Sequence, residues 1–162
     1  MLYFDTSFLA PLILPEATSD PAAAFFCSLS AEELAVSHWT RVEFSSLLAR
    51  EVRIGGLDAA AAMRADAKFE AMVDDSFLVL LPSADDFALA KRFLGRFETG
   101  LRAGDALHLA IAGNHRAAAI YTLNRTWHRQ LGICISIESA LGWQCSAIRI
   151  DYAAMATPVM PR

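Results

Sequence analysis

The sequence lacks the features that mark membrane, disulfide-rich and secreted proteins. Its 162 residues include no uncharged apolar stretch long enough for a membrane helix. No basic segment opens the chain, and Asp5 interrupts the first apolar run, which predicts that there is no signal peptide. The three cysteines are odd in number and widely spaced, which argues against a disulfide framework or a CxxC zinc site. We therefore expect a cytoplasmic protein that does not bind a membrane.

Motifs for several common chemistries are also missing. Neither GxGxxG nor GxxxxGK[ST] occurs, so a nucleotide cofactor is not indicated. No serine or cysteine lies in a nucleophile elbow such as GxSxG. Residue 7 is serine, whereas a phosphatase working through an aspartyl-phosphate would have a second aspartate there. The net charge of −4 argues against a general nucleic-acid coating protein, but it is compatible with an acidic metal site that has a basic rim.

The residues that are present predict one folded α/β domain. Apolar residues make up 55% of the chain and charged residues 20%, as in globular proteins. Strand-like runs begin at Met1, Leu34, Phe77, Ala118 and Ile133. Helical patterns occupy residues 6–14, 19–29, 37–54, 58–75, 83–97, 105–115 and 125–131. Because strands and helices alternate, we predict a mostly parallel sheet with right-handed crossovers.

Two finer predictions concern individual strands. The run from Phe77 to Leu81 is the clearest candidate for a strand that is buried on both faces. After Gly142 the pattern weakens, and the alternation from Ala147 to Tyr152 indicates an edge strand followed by a tail that is a candidate for disorder. We therefore divide the chain into a domain of residues 1–141 and a C-terminal extension of residues 142–162.

Three acidic residues and one amide lie where predicted strands end or helices begin. Asp5 follows the first strand, Glu43 and Asp105 lie near helix starts, and Asn124 follows the strand that ends at Thr122. If these strand ends adjoin, their oxygens form a site for Mg²⁺ or Mn²⁺. Each acid also has a simpler interpretation, because Thr40 and Glu43 match a capping box and the two aspartates suit helix N-termini.

At these positions the chain resembles the PIN-domain ribonucleases, and within them the VapC-type toxins of VapBC toxin–antitoxin pairs. The resemblance spans residues 1–137. The segments that carry it are Tyr3-Phe4-Asp5-Thr6-Ser7, Thr40-Arg41-Val42-Glu43-Phe44, Leu101-Arg102-Ala103-Gly104-Asp105-Ala106-Leu107-His108-Leu109-Ala110 and Tyr121-Thr122-Leu123-Asn124-Arg125. It implies a three-layer α/β/α fold with a short central sheet. It also implies Mg²⁺- or Mn²⁺-dependent cleavage of RNA and a VapB-like antitoxin as partner.

The resemblance assigns roles residue by residue. Asp5, Glu43 and Asp105 match the metal-binding acids of the family. Asn124 stands where many members have a fourth acid, so we expect one principal ion, with this amide orienting a metal-bound water. Thr122 is expected at the water shell of the metal, and Thr6 is expected to support Asp5 by a hydrogen bond. Hydrolysis by such a site leaves 5′-phosphate and 3′-hydroxyl ends.

Other residues keep two interpretations each. A first group, placed near the predicted mouth of the site, either contacts RNA phosphates or forms a solvated helix face: Arg102, Arg125, His128 and Arg129. His108 is either a metal ligand or a packed histidine with one hydrogen bond.

The predicted partners and the activity also have alternatives. The apolar segments Ser7 to Leu14 and Ala22 to Leu29 form a homodimer surface, an antitoxin surface or simply core. The alternative to a nuclease is a catalytically silent PIN-like module that binds RNA or protein, because Asn124 replaces an acid.

Overall fold

The computed structural model describes residues 1–29, 33–124, 137–139 and 146–149. Its strands are β1 (Leu2–Phe4), β2 (Leu34–Ser37), β3 (Leu78–Leu80), β4 (Ala119–Thr122), β5 (Ile137–Ser139) and β6 (Ser146–Arg149). Its α-helices are α1 (Thr6–Ile13), α2 (Ser19–Ser28), α3 (His38–Arg53), α4 (Ala59–Ser76), α5 (Ala84–Leu94) and α6 (Ala103–Asn114). A 3₁₀ turn at Phe97–Thr99 precedes α6. The predicted alternation of strands and helices is confirmed.

All the described strands belong to one sheet, in the order β3-β2-β1-β4-β6-β5. The first four of these run parallel, and β6 pairs antiparallel with β4 and with β5. β1 therefore lies between β2 and β4, and the carboxyl ends of all three meet at one edge of the sheet. The backbone N–H of Asp5 continues this pairing by donating to the carbonyl oxygen of Tyr121 at 3.1 Å. Asp5 is thus held at the centre of that edge.

The alternation along β1 divides the core into two layers. Leu2 and Phe4 pack on one side of the sheet with residues of α1, α2, α3 and α4. Tyr3 packs on the other side with residues of α5 and α6. Because helices cover both faces, the predicted three-layer α/β/α fold with a mostly parallel sheet is confirmed. Within the described residues, every helix is too short or too polar to cross a lipid bilayer.

Two strand predictions are wrong in detail. β3 is shorter than predicted and lies at the sheet edge, where Leu78 is 46% exposed and Leu81 is 73% exposed. An apolar run indicates a strand but not the number of its neighbours, and β3 pairs only with β2 in the described sheet. Conversely, the strand predicted at the edge from Ala147 to Tyr152 corresponds to β6, which pairs on both sides.

Some predictions fall outside the described residues. These are the helix at 125–131, most of the strand at 133–137, and the tail after Arg149. The division of the chain at residue 142 stays a prediction. The apolar early helices, by contrast, are described in full. Phe8 and Leu9 of α1, and Ala22 and Phe25 of α2, are buried. Those side chains belong to the core of the protein itself.

Candidate functional site

The residues predicted to form the acidic site line one pocket. Asp5, Glu43, Asp105 and Asn124 surround a space of about 520 Å³ at the carboxyl edge of the sheet, together with Thr6 and Arg102. Thr122 lies behind this lining, where it contacts Asp5. Arg125, His128 and Arg129 fall outside the described residues. The structure therefore brings together the four predicted site residues, although they are far apart in the sequence.

Asp5 is buried, with 3% of its surface exposed. Its Oδ1 accepts hydrogen bonds from the backbone N–H of Phe8 at 3.0 Å and from Ser7 Oγ at 2.8 Å. Its Oδ2 accepts from Thr122 Oγ1 at 2.6 Å. Burial raises the pKa of Asp5, while His108 and these hydrogen bonds partly offset the rise. Asp5 thus caps α1 and at the same time brings a costly buried charge to the pocket.

Glu43 lies inside α3 and not at its start. The capping box of α3 is formed by Ser37 and Thr40, so the interpretation of Glu43 as a cap is wrong. Its Oε2 accepts from Thr6 Oγ1 at 2.7 Å and from His108 Nε2 at 2.6 Å. Partial burial raises the pKa of Glu43, but the hydrogen bond and charge of His108 outweigh it, so the net pKa lies below the ordinary value.

Ser7, and not Thr6 as the sequence predicts, supports Asp5. Thr6 is predicted to support Asp5, but its hydroxyl donates to Glu43 instead, and Ser7 donates to Asp5. Ser7 Oγ also accepts from the backbone N–H of Leu123 at 2.9 Å. The two neighbouring hydroxyls of α1 thereby hold two different carboxylates, and Ser7 ties the end of β4 to the start of α1.

The other oxygen of Glu43 lies against the first turn of α6. A Cβ at Gly104 would come within 2.4 Å of Glu43 Oε1 and 3.6 Å of Trp39 Nε1. The indole N–H of Trp39 also lowers the pKa of Glu43, although within the described residues Nε1 has no hydrogen-bond partner of good geometry. The close approach of α3 to α6 therefore requires glycine at position 104 if the carboxylate is to keep its place.

A buried chain of polar groups continues from Glu43 into the core. His108 is 2% exposed, and its Nδ1 lies 2.8 Å from the hydroxyl of Tyr3, which lies 2.8 Å from Ser37 Oγ. Because an ionised carboxylate only accepts hydrogen bonds, Nε2 of His108 donates to Glu43. Burial raises the pKa of Tyr3, so its hydroxyl keeps its proton and remains a hydrogen-bond donor in this chain of polar groups. His108 is thus packed, as one interpretation held, but it makes two hydrogen bonds.

Asp105 and Asn124 complete the pocket wall. Asp105 Oδ2 accepts from the backbone N–H of Arg102 at 3.4 Å, which caps α6. Its Oδ1 accepts from Asn124 Nδ2 at 3.3 Å. The backbone N–H of Asn124 donates to Thr122 Oγ1 at 3.0 Å. Where a fourth acid would repel Asp105, this chain places a hydrogen-bond donor, which reduces the negative charge of the pocket.

Comparison with known proteins identifies the fold. The family model of the PIN domain matches residues 2–131. The chain belongs to the PIN domain family. The resemblance predicted from the sequence is confirmed at the level of the family. No significant relative was found among the curated proteins.

Solved structures share the fold of this PIN domain at low sequence identity. VapC20 of Mycobacterium tuberculosis, described as a Sarcin-Ricin loop cleaving toxin, has a TM-score of 0.64 and 21% identity, covering 82% of this chain and 97% of its own. VapBC2 of Rickettsia felis, bound to a promoter DNA fragment, has a TM-score of 0.60 and 13% identity, covering 84% and 98%. FitAcB of Neisseria gonorrhoeae has a TM-score of 0.52 and 18% identity, covering 72% and 84%. At these identities the similarity establishes the fold.

The donors of this PIN domain fit a hard divalent cation. Three carboxylates line one pocket, and Mg²⁺ or Mn²⁺ prefers such oxygen ligands while keeping several waters. In residues 1–29, 33–124 and the two short strands, no group of three carboxylate, imidazole or thiol side chains is already arranged around one position that a metal ion could occupy. The fit therefore rests on the chemistry of the donors and on Gly104, which leaves room for a carboxylate oxygen at the pocket wall.

Two arginines of the pocket were missed by sequence reasoning. Arg50 and Arg53 of α3 line the same space as Glu43, together with Ser46 and Leu47. A signal for them exists, because residues three, four, seven and ten positions after Glu43 lie toward the same face of the helix. The prediction considered basic residues only near the late strand and the α6 start, where the family motifs lie.

Proposed function

We propose that this PIN domain is a divalent-metal-dependent endoribonuclease and the toxin of a type II toxin–antitoxin pair. The observation that carries the proposal is the convergence of Asp5, Glu43 and Asp105 on one pocket. The fold shared with VapC20, which is described as a Sarcin-Ricin loop cleaving toxin, supports a substrate of RNA. The structures of VapBC2 and FitAcB support an antitoxin as partner.

The residues of this chain prepare the site in distinct ways. Asp5, Glu43 and Asp105 would hold Mg²⁺ or Mn²⁺. When bound, such an ion lowers the pKa of water and stabilises negative charge on a phosphoryl group. Ser7 and Thr122 fix the two oxygens of Asp5. In-line hydrolysis at this site predicts 5′-phosphate and 3′-hydroxyl ends.

The supporting groups of Glu43 and Asp105 differ in kind. His108 and Thr6 both donate to Oε2 of Glu43, which fixes that carboxylate from two sides. Asn124 donates to Asp105 through its amide, which leaves the pocket with three acids. We propose that this amide supports one principal ion and orients a water bound to it. We also propose that the protein forms a homodimer and that it is cytoplasmic.

The direct test is cleavage of RNA by the purified, partner-free protein. A mixed RNA pool is incubated in Mg²⁺ or Mn²⁺, with and without EDTA, and the new ends are sequenced. Asp5→Asn is the inactivating variant. Asp58→Asn is the matched control, because Asp58 caps α4 by accepting from Ala61 N–H but is exposed and outside the pocket.

The proposal expects metal-dependent cuts that persist in Asp58→Asn and vanish in Asp5→Asn. Cyclic 2′,3′-phosphate ends, or full activity in EDTA, would contradict the mechanism. A second candidate function is a silent RNA- or protein-binding module, which the amide of Asn124 in place of a fourth acid favours. That candidate predicts neither cutting nor Mn²⁺ binding by the wild type.

A further inference from the structure

Along α3, the part of the pocket lining that includes Glu43 is followed by two arginines. Glu43 lies in the first half of the helix and lines the pocket together with Asp5 and Asp105. Arg50 lies seven residues later, two helical turns or about 10 Å along the axis, and Arg53 lies about 15 Å from Glu43. Both arginines line the same pocket as the carboxylates. The helix therefore leads from the acids to a pair of guanidinium groups.

The structural roles open to these arginines contribute little stability. Both lie in the last turn of α3, where a cation is favourable against the helix dipole. Arg50 also donates from Nε and Nη2 to Oε1 of Glu51, at 3.2 and 2.8 Å. This contact between adjacent residues leaves the Arg50 side chain 62% exposed, and exposed pairs add little stability. Arg41 of the same helix is different, because it is paired with Glu70 and Asp74 of α4.

Arg53 is more available than Arg50. Within the part of the chain that the structure describes, it forms no ion pair. Guanidinium groups bind phosphate oxygens through paired N–H donors. An RNA strand with one phosphate at the carboxylates carries further phosphates every few ångströms along its length. The charges of such a strand match the order of the pocket, with a cation site first and arginines about 10 Å farther on.

We propose that Arg50 and Arg53 form a phosphate-binding subsite for single-stranded RNA, beside the scissile phosphodiester. The inference rests on the proposed nuclease function and adds the direction in which the substrate lies, along α3 toward its carboxyl end. The subsite reads the RNA backbone and not its bases, so it contributes affinity without selecting a sequence.

Salt dependence of RNA binding measures this subsite separately from cleavage. The parent is the Asp5→Asn protein, and the probe is a fluorescently labelled single-stranded RNA followed by anisotropy as the salt concentration is varied. Each phosphate contact on a single strand contributes about 0.7 to the slope of log affinity against log salt. Arg50→Gln with Arg53→Gln should therefore lower the magnitude of the slope by about 1.4.

Matched variants separate this effect from helix-end charge and from folding. Arg92→Gln removes an exposed cation from the last turn of α5, outside the pocket, and should leave the slope unchanged. Arg50→Lys with Arg53→Lys keeps both charges and should keep most of the slope. An unchanged slope in the double glutamine variant would overturn the inference. So would an equal loss in Arg92→Gln, or no measurable RNA binding by the parent.

Kinetics distinguish this inference from the proposed function. In protein that keeps the native Asp5 and is therefore expected to be active, Arg50→Gln with Arg53→Gln should raise KM for RNA more than it lowers kcat. If the wild-type protein cuts no RNA, the nuclease proposal fails, but the slopes still decide whether the subsite binds phosphate. If the wild type cuts RNA and the slopes do not change, the subsite fails and the nuclease proposal stands.

Discussion

Replacing Gly104 by alanine tests whether the position of the Glu43 carboxylate controls metal binding. The added Cβ would lie 2.4 Å from Glu43 Oε1, so the oxygen must move by about 1 Å to reach an ordinary contact of 3.4 Å. The same carboxylate is held through Oε2 by Thr6 and His108 at 2.7 and 2.6 Å. The shift therefore lengthens and weakens both hydrogen bonds.

The expected effect on stability is small, because two contributions oppose each other. Alanine is more favourable than glycine in a helix by about 1 kcal/mol. Gly104 lies in the first turn of α6 without a positive φ, so the backbone accepts alanine. Each of the two hydrogen bonds to the charged carboxylate contributes about 1.5–3 kcal/mol, and because both are weakened and not lost, their combined cost is about that of one. We expect a net change of about 2 kcal/mol or less in the free energy of unfolding.

The expected effect on metal binding is larger. Removing the groups that orient a metal ligand typically weakens metal affinity by about 10–100-fold. Calorimetric titration with Mn²⁺ and urea unfolding in EDTA measure the two effects separately. Gly95→Ala is the control, since Gly95 is the C-cap of α5, has a φ of −68° and lies outside the pocket. Wild-type Mn²⁺ affinity in a folded Gly104→Ala protein would refute the role given to the Glu43 position.

Three further predictions follow from buried polar groups. Tyr3→Phe deprives His108 Nδ1 of its partner and should lower the free energy of unfolding by about 1–3 kcal/mol in urea denaturation. An unchanged value would show that the buried hydrogen bond between Tyr3 and His108 does not stabilise the fold. Asp5→Asn should raise the melting temperature of the protein in EDTA, because burial raises the pKa of Asp5 and makes its ionised form costly. This gain in melting temperature should shrink as the pH falls toward the raised pKa, because the folded wild type then takes up a proton at Asp5. Thermal melts in which the gain grows as the pH falls would contradict this explanation. Asp86→Ala should destabilise the fold by about 1–3 kcal/mol without altering Mn²⁺ affinity, because buried Asp86 accepts from Ser83 and Asn114 far from the acids; calorimetry showing a changed affinity would count against it.

The sequence predicts which residues line the acidic pocket because the apolar runs show where the strands end. Parallel strands bring their carboxyl ends to one edge, so residues that follow strands are gathered whatever their separation along the chain. Asp5 and Asn124 follow β1 and β4, which pair directly. The same logic does not assign hydrogen-bond partners. Thr6 and Ser7 are adjacent in α1, and only the direction of each side chain decides that one reaches Glu43 and the other Asp5.

Contacts between distant side chains are the part that the sequence did not predict. Tyr3 and His108 are 105 positions apart and lie on β1 and α6, which come together only through packing of the whole layer. The exposure of β3 has a similar origin, because an apolar run carries no information about neighbours on either side. The arginines of α3 had a local signal in their helical spacing from Glu43, which sequence reasoning did not use.

For Asp5 and Asp105, a role at a helix start is compatible with the proposed role as a metal ligand. For Glu43, the structure excludes a role as a helix cap. Asp5 caps α1 and Asp105 caps α6, so each position is fixed by the start of its own helix as well as by the pocket. Glu43 caps nothing, and its carboxylate is placed by Thr6, His108 and the space at Gly104. Local contacts therefore secure one carboxylate oxygen of each aspartate, and Thr122 and Asn124 hold the other oxygen, whereas Glu43 is held by tertiary contacts alone. Substitutions at Thr6, His108 or Gly104 should accordingly affect the proposed metal site through the position of Glu43.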